Sequence, residues 1–444
     1  MKITTTAERG SILMLTLITA GVIGLTLAAY LEMVKQRNLA VHRSRVWNSA
    51  MAASEAGIEE AMSHLRAVGT GNRSANGWVT NLIGGGHRKT NDLGDIRYDV
   101  IIGLGNEPMV TSTGYAKFHL TGKEVSRVVQ VATKGKGQFG RGLVAKGTIA
   151  FGGQFESDSY DSGDVLYSTG GMYDKAKRKD NGDIGSMAPV ANAIDMASKS
   201  KVYGKAAVSA TGGVYTTSDA AIGTAAWINA GKVGIEPGRS SSDLNVSFPP
   251  APFPTTGGFG LPGGGLVGLT NYARIFAPDT YTTSTVSMSG DEKWLITGDV
   301  TLIVDKDFSQ SGGSQIYIAP GASLKLYVKE GSISISGSGV ANAGGKPESF
   351  SIIGRSHVYD SNGTLTQKGL EYINLSGNGT LISTIYAPDA EMKMSGGGTD
   401  IIDFSGAAIV GKVTGSGSFR FHYDEALGRK RGDGDLTVAS WREI

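Results

Sequence analysis

Two hydrophobic periods divide this chain. From Arg9 to Glu32 there is no charged side chain for 22 positions, and at ~1.5 Å per helical residue such a run covers the ~30 Å hydrocarbon thickness of a bilayer. The pattern predicts a membrane-spanning helix containing Ser11, Ala20, Gly24, Ala28 and Leu31. A cleaved secretory signal is the alternative, but its apolar region is shorter and ends at a small-x-small site before a polar mature start. After Glu32 the sequence KQRNLAVHRSRVWNSAMAASEAGIEEAMSHL holds no proline and one glycine, so the helix is expected to run on into water. Trp47, Met51, Ser54, Ile58, Ala61 and Leu65 fall at alternating spacings of three and four, a narrow stripe suited to one partner surface. Within the span, Ala20, Gly24 and Ala28 place small residues on one face, where a second membrane helix could approach closely.

The period then shortens to two. Residues 71–94 are rich in glycine and asparagine and read as a loop region. DIRYDVIIGLG, EPMVTSTGYAKFHLTG and KEVSRVVQVATK follow as three successive antiparallel strands, broken by Gly, Pro and Asn. A sheet with one apolar face must cover it, and the stripe on residues 47–65 is the expected cover.

From about Gly140 to Leu427 short apolar runs alternate with small polar residues and glycine. An apolar residue, then Ser or Thr, then Gly-x-Gly, recurs at Ile335, Leu375, Met394 and Val413 with separations of 40, 19 and 19, one period with one copy skipped. A fixed period near twenty predicts a β-solenoid with Gly337, Gly377, Gly396 and Gly415 at equivalent corners. A β-sandwich or a pair of open sheets is the alternative. Residues 247–268 hold five of the twelve prolines and read as a linker dividing the β region. The expected organisation is a helix over 1–70, a β-meander over 71–135, a first β-rich segment over 136–246 with 172–205 as an inserted loop, the linker 247–268, a C-terminal solenoid over 269–428 and a polar tail over 429–444.

Composition narrows the function. Glycine is 66 of 444 residues and charge only 18%, the balance of a turn-rich β protein. The formal charge is +2, which leaves no basic field for nucleic acid. Cysteine is absent, removing disulfides and thiol chemistry. Gly258-Phe-Gly260-Leu-Pro-Gly263 matches the dinucleotide fingerprint only formally, since that motif needs a strand before it and a helix after it. The six histidines, at 42, 64, 87, 119, 357 and 422, lack ligand spacing. Glu156, Asp158, Asp161 and Asp164 form the densest acidic cluster, but SDSYDSGD has the composition of a turn and they read as solvated loop acids. Asp400 and Asp403 have no sequence neighbour to complete a lyase or glycosidase site. No catalytic residue, metal site or cofactor is expected.

The opening ERGSIL followed by a span, the basic stretch KQRNLAVHRSR and then AASEAGIEEA resembles the N-terminal region of PilX-like type IV pilus assembly proteins, minor pilin-like components, over about residues 7–65. The resemblance implies a single-pass anchor in the bacterial inner membrane, packing against other pilin-like subunits, with the globular part periplasmic or extracellular. IYAPDAEMKMSG, AAIVGK and FHYDEAL likewise resemble an uncharacterised solenoid-like domain attached to such anchors, and Phe421, His422, Tyr423 and Leu427 would cap its last coil. The chain departs from the prepilin pattern in that cleavage after Gly10 would make Ser11 first and Leu15, not glutamate, fifth. Lys35, Arg37, Arg43 and Arg45 outnumber Lys2 and Arg9, which by charge alone favours a cytoplasmic C-terminal side. The expected fold is therefore mainly β with one long N-terminal transmembrane helix, a pilin-like α+β module and a parallel β-solenoid. The expected function is structural, in a type IV pilus or type II secretion-like assembly at the membrane. An anchored β-helix that binds or degrades polysaccharide, surface glycans being its partner, and a cytoplasmic solenoid scaffold are the alternatives.

Overall fold

The structure is a computed structural model that describes residues 9–68, 73–80, 85–105, 108–119, 122–135, 139–197, 199–254, 257–396, 402–429 and 436–444. It is mainly β, with one long apolar N-terminal helix and a large parallel sheet. Two compact units form, one from 1–136 with 431–444 and the other from 137–430.

In the first unit the helix Arg9–Val68 lies on an antiparallel sheet of β1 (Val79–Thr80), β2 (His87–Asp92), β3 (Ile96–Ile102), β4 (Met109–Phe118) and β5 (Lys123–Gly135), completed by the strand Leu436–Glu443. Strands β3 to β5 are the meander expected from the period of two. Strand β2, with the sequence HRKTND, lies in the region read as loop, because a strand without an apolar face carries no hydrophobic alternation. The supposed polar tail is likewise a strand: Trp441 pairs with Val131 and Leu436 with Gly135, closing the edge of β5.

The helix buries Ser54, Ile58, Ala61 and Leu65 of the expected stripe and adds Ala50, Ala53 and Met62 to it, while Trp47 and Met51 stay at its margin. Ala50, Ala53, Ser54, Ile58, Ala61, Met62 and Leu65 face Tyr98, Val100, Ile102, Val110, Val129 and Val131. Met51 is half-buried, and Trp47 stands at the flank, half-exposed over the Arg127 guanidinium at 4.7 Å. The reason is close approach of the two backbones. A Cβ on Gly57 would sit 2.3 Å from Ser112 Oγ, and one on Gly114 only 2.1 Å from the Ala50 carbonyl oxygen. Bulky residues are therefore pushed to the margins of the contact.

The second unit is one parallel solenoid whose coils each add a strand to three columns. In the first column Gln315–Ile318 is followed by Val340–Ala341, then the starts of Thr380–Ser395 and Ile402–Ser416, then Ser418–Asp424. The next strand in that column is Gln154–Tyr160, followed by Lys201–Tyr203 and Ala221–Gly223. The C-terminal part of the unit thus stacks directly onto its N-terminal part. One coil is a hybrid, made of Ser418–Asp424 with Leu143–Ala145 and Ile149–Phe151. The regions 136–246 and 269–428 are one solenoid, and 184–205, expected inside an inserted loop, supplies strands to it.

The proline-rich segment does not divide the stack; it runs along it from one end to the other. Leu244 N donates to the Val208 carbonyl (3.0 Å), Tyr386 Oη donates to the Pro249 carbonyl (2.5 Å), the Phe253 ring meets Tyr327, and Phe259 bridges to Tyr281 near the first coil. Proline suits this path because a strap beside a finished sheet has no ladder to join.

Apolar residues fill the interior as stacked columns, with Phe151, Phe155 and Phe419 in mutual ring contact across the junction between the two parts. Gly290, Gly312, Gly337 and Gly377 occupy one corner on successive coils, at φ 59°, 66°, 66° and 76°. A Cβ on any of the last three would lie 3.0 Å from the amide nitrogen of the glycine before it, so left-handed backbone and stacking both require glycine there. Gly396 closes a similar approach, a Cβ on it falling 2.2 Å from the Ser418 carbonyl oxygen. Gly415 lies within the strand Ile402–Ser416, and Gly417, at φ 79°, makes the turn instead. No coil is skipped in the 40-residue step. Ile335 pairs directly with Leu375, and the extra length is an excursion that includes the hairpin Val358–Tyr359 with Leu365–Gln367. Leu375 in turn pairs with Met394, whereas Val413 pairs with Met392.

Candidate functional site

Two places concentrate features that a free-standing core does not need. The first is the N-terminal part of the helix. Its best 18-residue window has a mean hydropathy of 2.3 and none of it is buried. Leu13, Leu17 and Leu25 are each more than 70% exposed. Ala20, Gly24, Ala28 and Leu31 lie on this bare rod, and a Cβ on Gly24 would meet nothing within 4 Å. Ser11 belongs to the same helix. Thr16, Thr19 and Thr26 return their hydroxyls to carbonyls three or four residues back, so the rod presents few unsatisfied polar groups. Beyond it, Ile58 and Leu65 of the expected stripe are buried on the sheet.

The second place is the hybrid coil. Phe421, His422, Tyr423 and Leu427 were expected to cap an open end, but they lie inside the stack. Strand Ser418–Asp424 is covered on one side by Ile402–Ser416 and on the other by Gln154–Tyr160. The terminal coils carry other structures. A short helix, Ala225–Asn229, capped by the Thr224 hydroxyl, packs on Tyr203 and Ala221 at one end, and the hairpin Gly265–Val267 with Thr270–Tyr272 stands by the first coil at the other.

Phe421 and Tyr423 point into the core, so Arg420, His422 and Asp424 point outward. Residues 161–183 then fold over the outward side and bury two of these three. His422 Nδ1 lies 2.6 Å from Asp158 Oδ1, and its Nε2 lies 3.5 Å from Asp403. The Tyr173 ring stacks on the imidazole at 3.5 Å, and its hydroxyl donates to Asp158 Oδ2 at 2.8 Å. Arg178 bonds Glu156 at 2.6 Å and approaches Asp158 at 3.6 Å. Asp424 accepts from the backbone N–H groups of Ser162 and Ala426. Lys179 and Asn181 both reach Glu425, and Arg429 makes a two-pronged contact with Asp161.

Burial opposes charge on His422, but the facing Asp158 and Asp403 outweigh it, and the imidazole pKa is raised. Burial pushes the Tyr173 phenol up, with Asp158 adding to the effect. Burial also raises the Asp424 carboxyl in spite of its two N–H donors. For Asp161 burial works in the same direction, but Arg429 and the Gly163 N–H prevail and its pKa is lowered.

The acidic cluster is therefore not a set of solvated loop acids. Asp158 lies in a strand and is fully buried, Asp161 is buried and paired with Arg429, Glu156 is paired with Arg178, and only Asp164, accepting from Leu166 N, shapes a turn. The sequence could not announce the Asp158–His422 contact, because its partners are 264 residues apart. The one available signal is the alternation of aromatic and polar residues in FRFHYD, which marks a strand with polar residues on its outer side. Asp400 lies outside the described residues. Among the described residues no group of three His, Asp or Glu side chains is placed to hold a metal ion. The arrangement is a clasp across the join between the two parts of the solenoid, with Asp424 Oδ2 and Tyr160 Oη buried and without a hydrogen-bond partner among the described residues.

Residues 273–430 match the model of a domain of unknown function, DUF7305. A search of curated proteins finds no match. Among solved structures, the chain is similar to the competence-associated pilin ComZ from Thermus thermophilus, with 11% identity and a TM-score of 0.27 over 89% of this chain and 97% of that one.

Proposed function

We propose that the chain is a pilin-like structural subunit of a type IV pilus or type II secretion-like assembly. The bare rod is held in the inner membrane and packs against the helices of other subunits, while the solenoid is carried outside the cytoplasm. The observation that supports this reading most is the division of a single helix. Residues 50–65 pack on a sheet at glycine-close range, whereas the N-terminal part is long enough to span a bilayer and is covered by none of the described residues. Apolar surface on that scale calls for lipid or other apolar helices. The resemblance of residues 7–65 to PilX-like proteins agrees with this and supplies the assembly class. The role is architectural rather than catalytic, and the buried ion pairs serve folding.

Topology is the decisive measurement. With a tag after Ile444, protease added to intact bacteria and then to spheroplasts should digest the tag in spheroplasts, or in intact cells if the solenoid is displayed at the surface. Protection in both would place the globular part in the cytoplasm and end this reading. Cysteines at Ala20 and Gly24, introduced into a chain that has none, should cross-link to partner helices in membranes.

A further inference from the structure

We infer that the solenoid carries a subsite for an acidic glycan in an open groove beside the covered face of the hybrid coil. The outward residues of the first column form parallel rows along the stack. One row, with His422 and Asp158, is roofed by residues 161–183. The neighbouring row is left open, and along it the register places Asp403, Arg420, Glu156 and Lys201 on four successive strands. Arg420, Glu156 and Lys201 of this row, with Gln154, Lys199, Ser418 and Asp219, line a groove of about 340 Å³.

The charges in the groove are unevenly committed. Glu156 is engaged by Arg178, and Asp219 accepts from the Thr217 hydroxyl at 2.9 Å. Lys199, at a corner, already acts on Asp219, whereas Lys201 and Arg420, on two strands, make no ion pair within 4 Å among the described residues. A ligand must therefore bring negative charge, and it must bring it at intervals. Adjacent strands are about 4.8 Å apart, so Arg420 and Lys201, two strands apart, stand about 10 Å apart along the stack. A polymer with carboxylates recurring along an extended chain fits that spacing. The Gln154 amide, the Ser418 hydroxyl and the spare oxygens of Glu156 and Asp219 can meet sugar hydroxyls. The two lining aromatics, Phe155 and Phe419, are buried and offer no face on which a base could stack. The polar groove also lacks the apolar pocket that a peptide side chain would seek. Hexuronate chains satisfy all of these conditions.

The test uses the full-length protein in detergent and a fluorescein-labelled galacturonate oligomer, followed by anisotropy at low salt and again near 150 mM salt. The neutral galactose oligomer and a polyglutamate peptide of equal length serve as competitors. The expected result is saturable binding displaced by unlabelled galacturonate and by neither competitor, weakened at least tenfold by Arg420→Gln or Lys201→Gln. Lys329→Gln, on a different column, should leave it unchanged. All three variants replace surface side chains, and matching melting curves would show that each is folded. The inference falls if galacturonate does not bind, if polyglutamate displaces it equally, or if Lys329→Gln weakens it as much as the groove variants do.

Discussion

The two units meet the same physical demand in opposite ways. Each is closed by a piece of chain remote in sequence: the first sheet by Leu436–Glu443, the solenoid's hybrid coil by Ser418–Asp424. The solenoid, however, hides most of its large apolar side chains within its own stack, whereas the N-terminal part of the helix of the first unit is bare. Closing a fold is thus separate from completing it. The solenoid covers its core with its own coils, whereas no described residue covers the N-terminal part of the helix.

Four perturbations should sharpen that contrast, and the largest effects belong to self-covered interiors. Asp158→Ala leaves the buried His422 without its main partner and should cost about 3–5 kcal/mol. Hydrogen exchange read segment by segment would show the loss in residues 139–429 with little change in β3 to β5. Next is Gly114→Val, which drives a side chain into the helix backbone and should cost roughly 3 kcal/mol in the first unit alone. Urea melts followed by the same segmental exchange should give the reverse pattern.

Gly337→Ala should come third, at about 1–3 kcal/mol, since the left-handed corner and the glycine stacked against it both disfavour a Cβ. A cost no greater than that of an exposed Ser→Ala change would refute the stacked corner. The smallest effect is one of pH. The His422 pKa is raised above its ordinary 6.5, so its stabilisation is complete below 6.5 and is lost as pH rises through the higher folded value. The thermal midpoint of the solenoid should fall across that window, and His422→Gln should flatten the fall. Asp161, shifted downward, acts in a separate acidic window: its contribution is present above 3.8 and disappears as pH drops through the folded value. Asp424, shifted upward by burial, loses stability for the fold as pH climbs from 3.8, and this slope survives in the variant.

Much of this architecture was legible because it rests on local period. The uncharged run to Glu32, the alternation in DIRYDVIIG and the glycine corners at 337 and 377 each express a rule acting over a few residues. What stayed hidden depends on pairing across long separations. Nothing in LTVASWRE distinguishes a tail from a strand until the open edge of β5 is known, and the order of the coils cannot be read from coils that look alike. The burial of the acids at 156–161 is hidden from local pattern for the same reason, since it is decided by residues 161–183 folding over them and by a histidine 264 residues away from Asp158. The displacement of Trp47 and Met51 from the centre of the stripe has another cause. Periodicity rewards large apolar residues, but this helix lies so close to β4 that glycine, alanine and serine had to take the centre.

The chain leaves the first sheet after Gly135 and returns at Leu436, and these two residues are register partners. On the solenoid side, the Tyr423 hydroxyl donates to the Phe139 carbonyl at 2.7 Å, so the arriving and departing segments run side by side there as well. Topologically the whole solenoid is therefore an oversized hairpin loop. A lineage could lengthen it, exchange it for another module or replace it with a few turn residues, and the last two strands of the anchor sheet would still find each other.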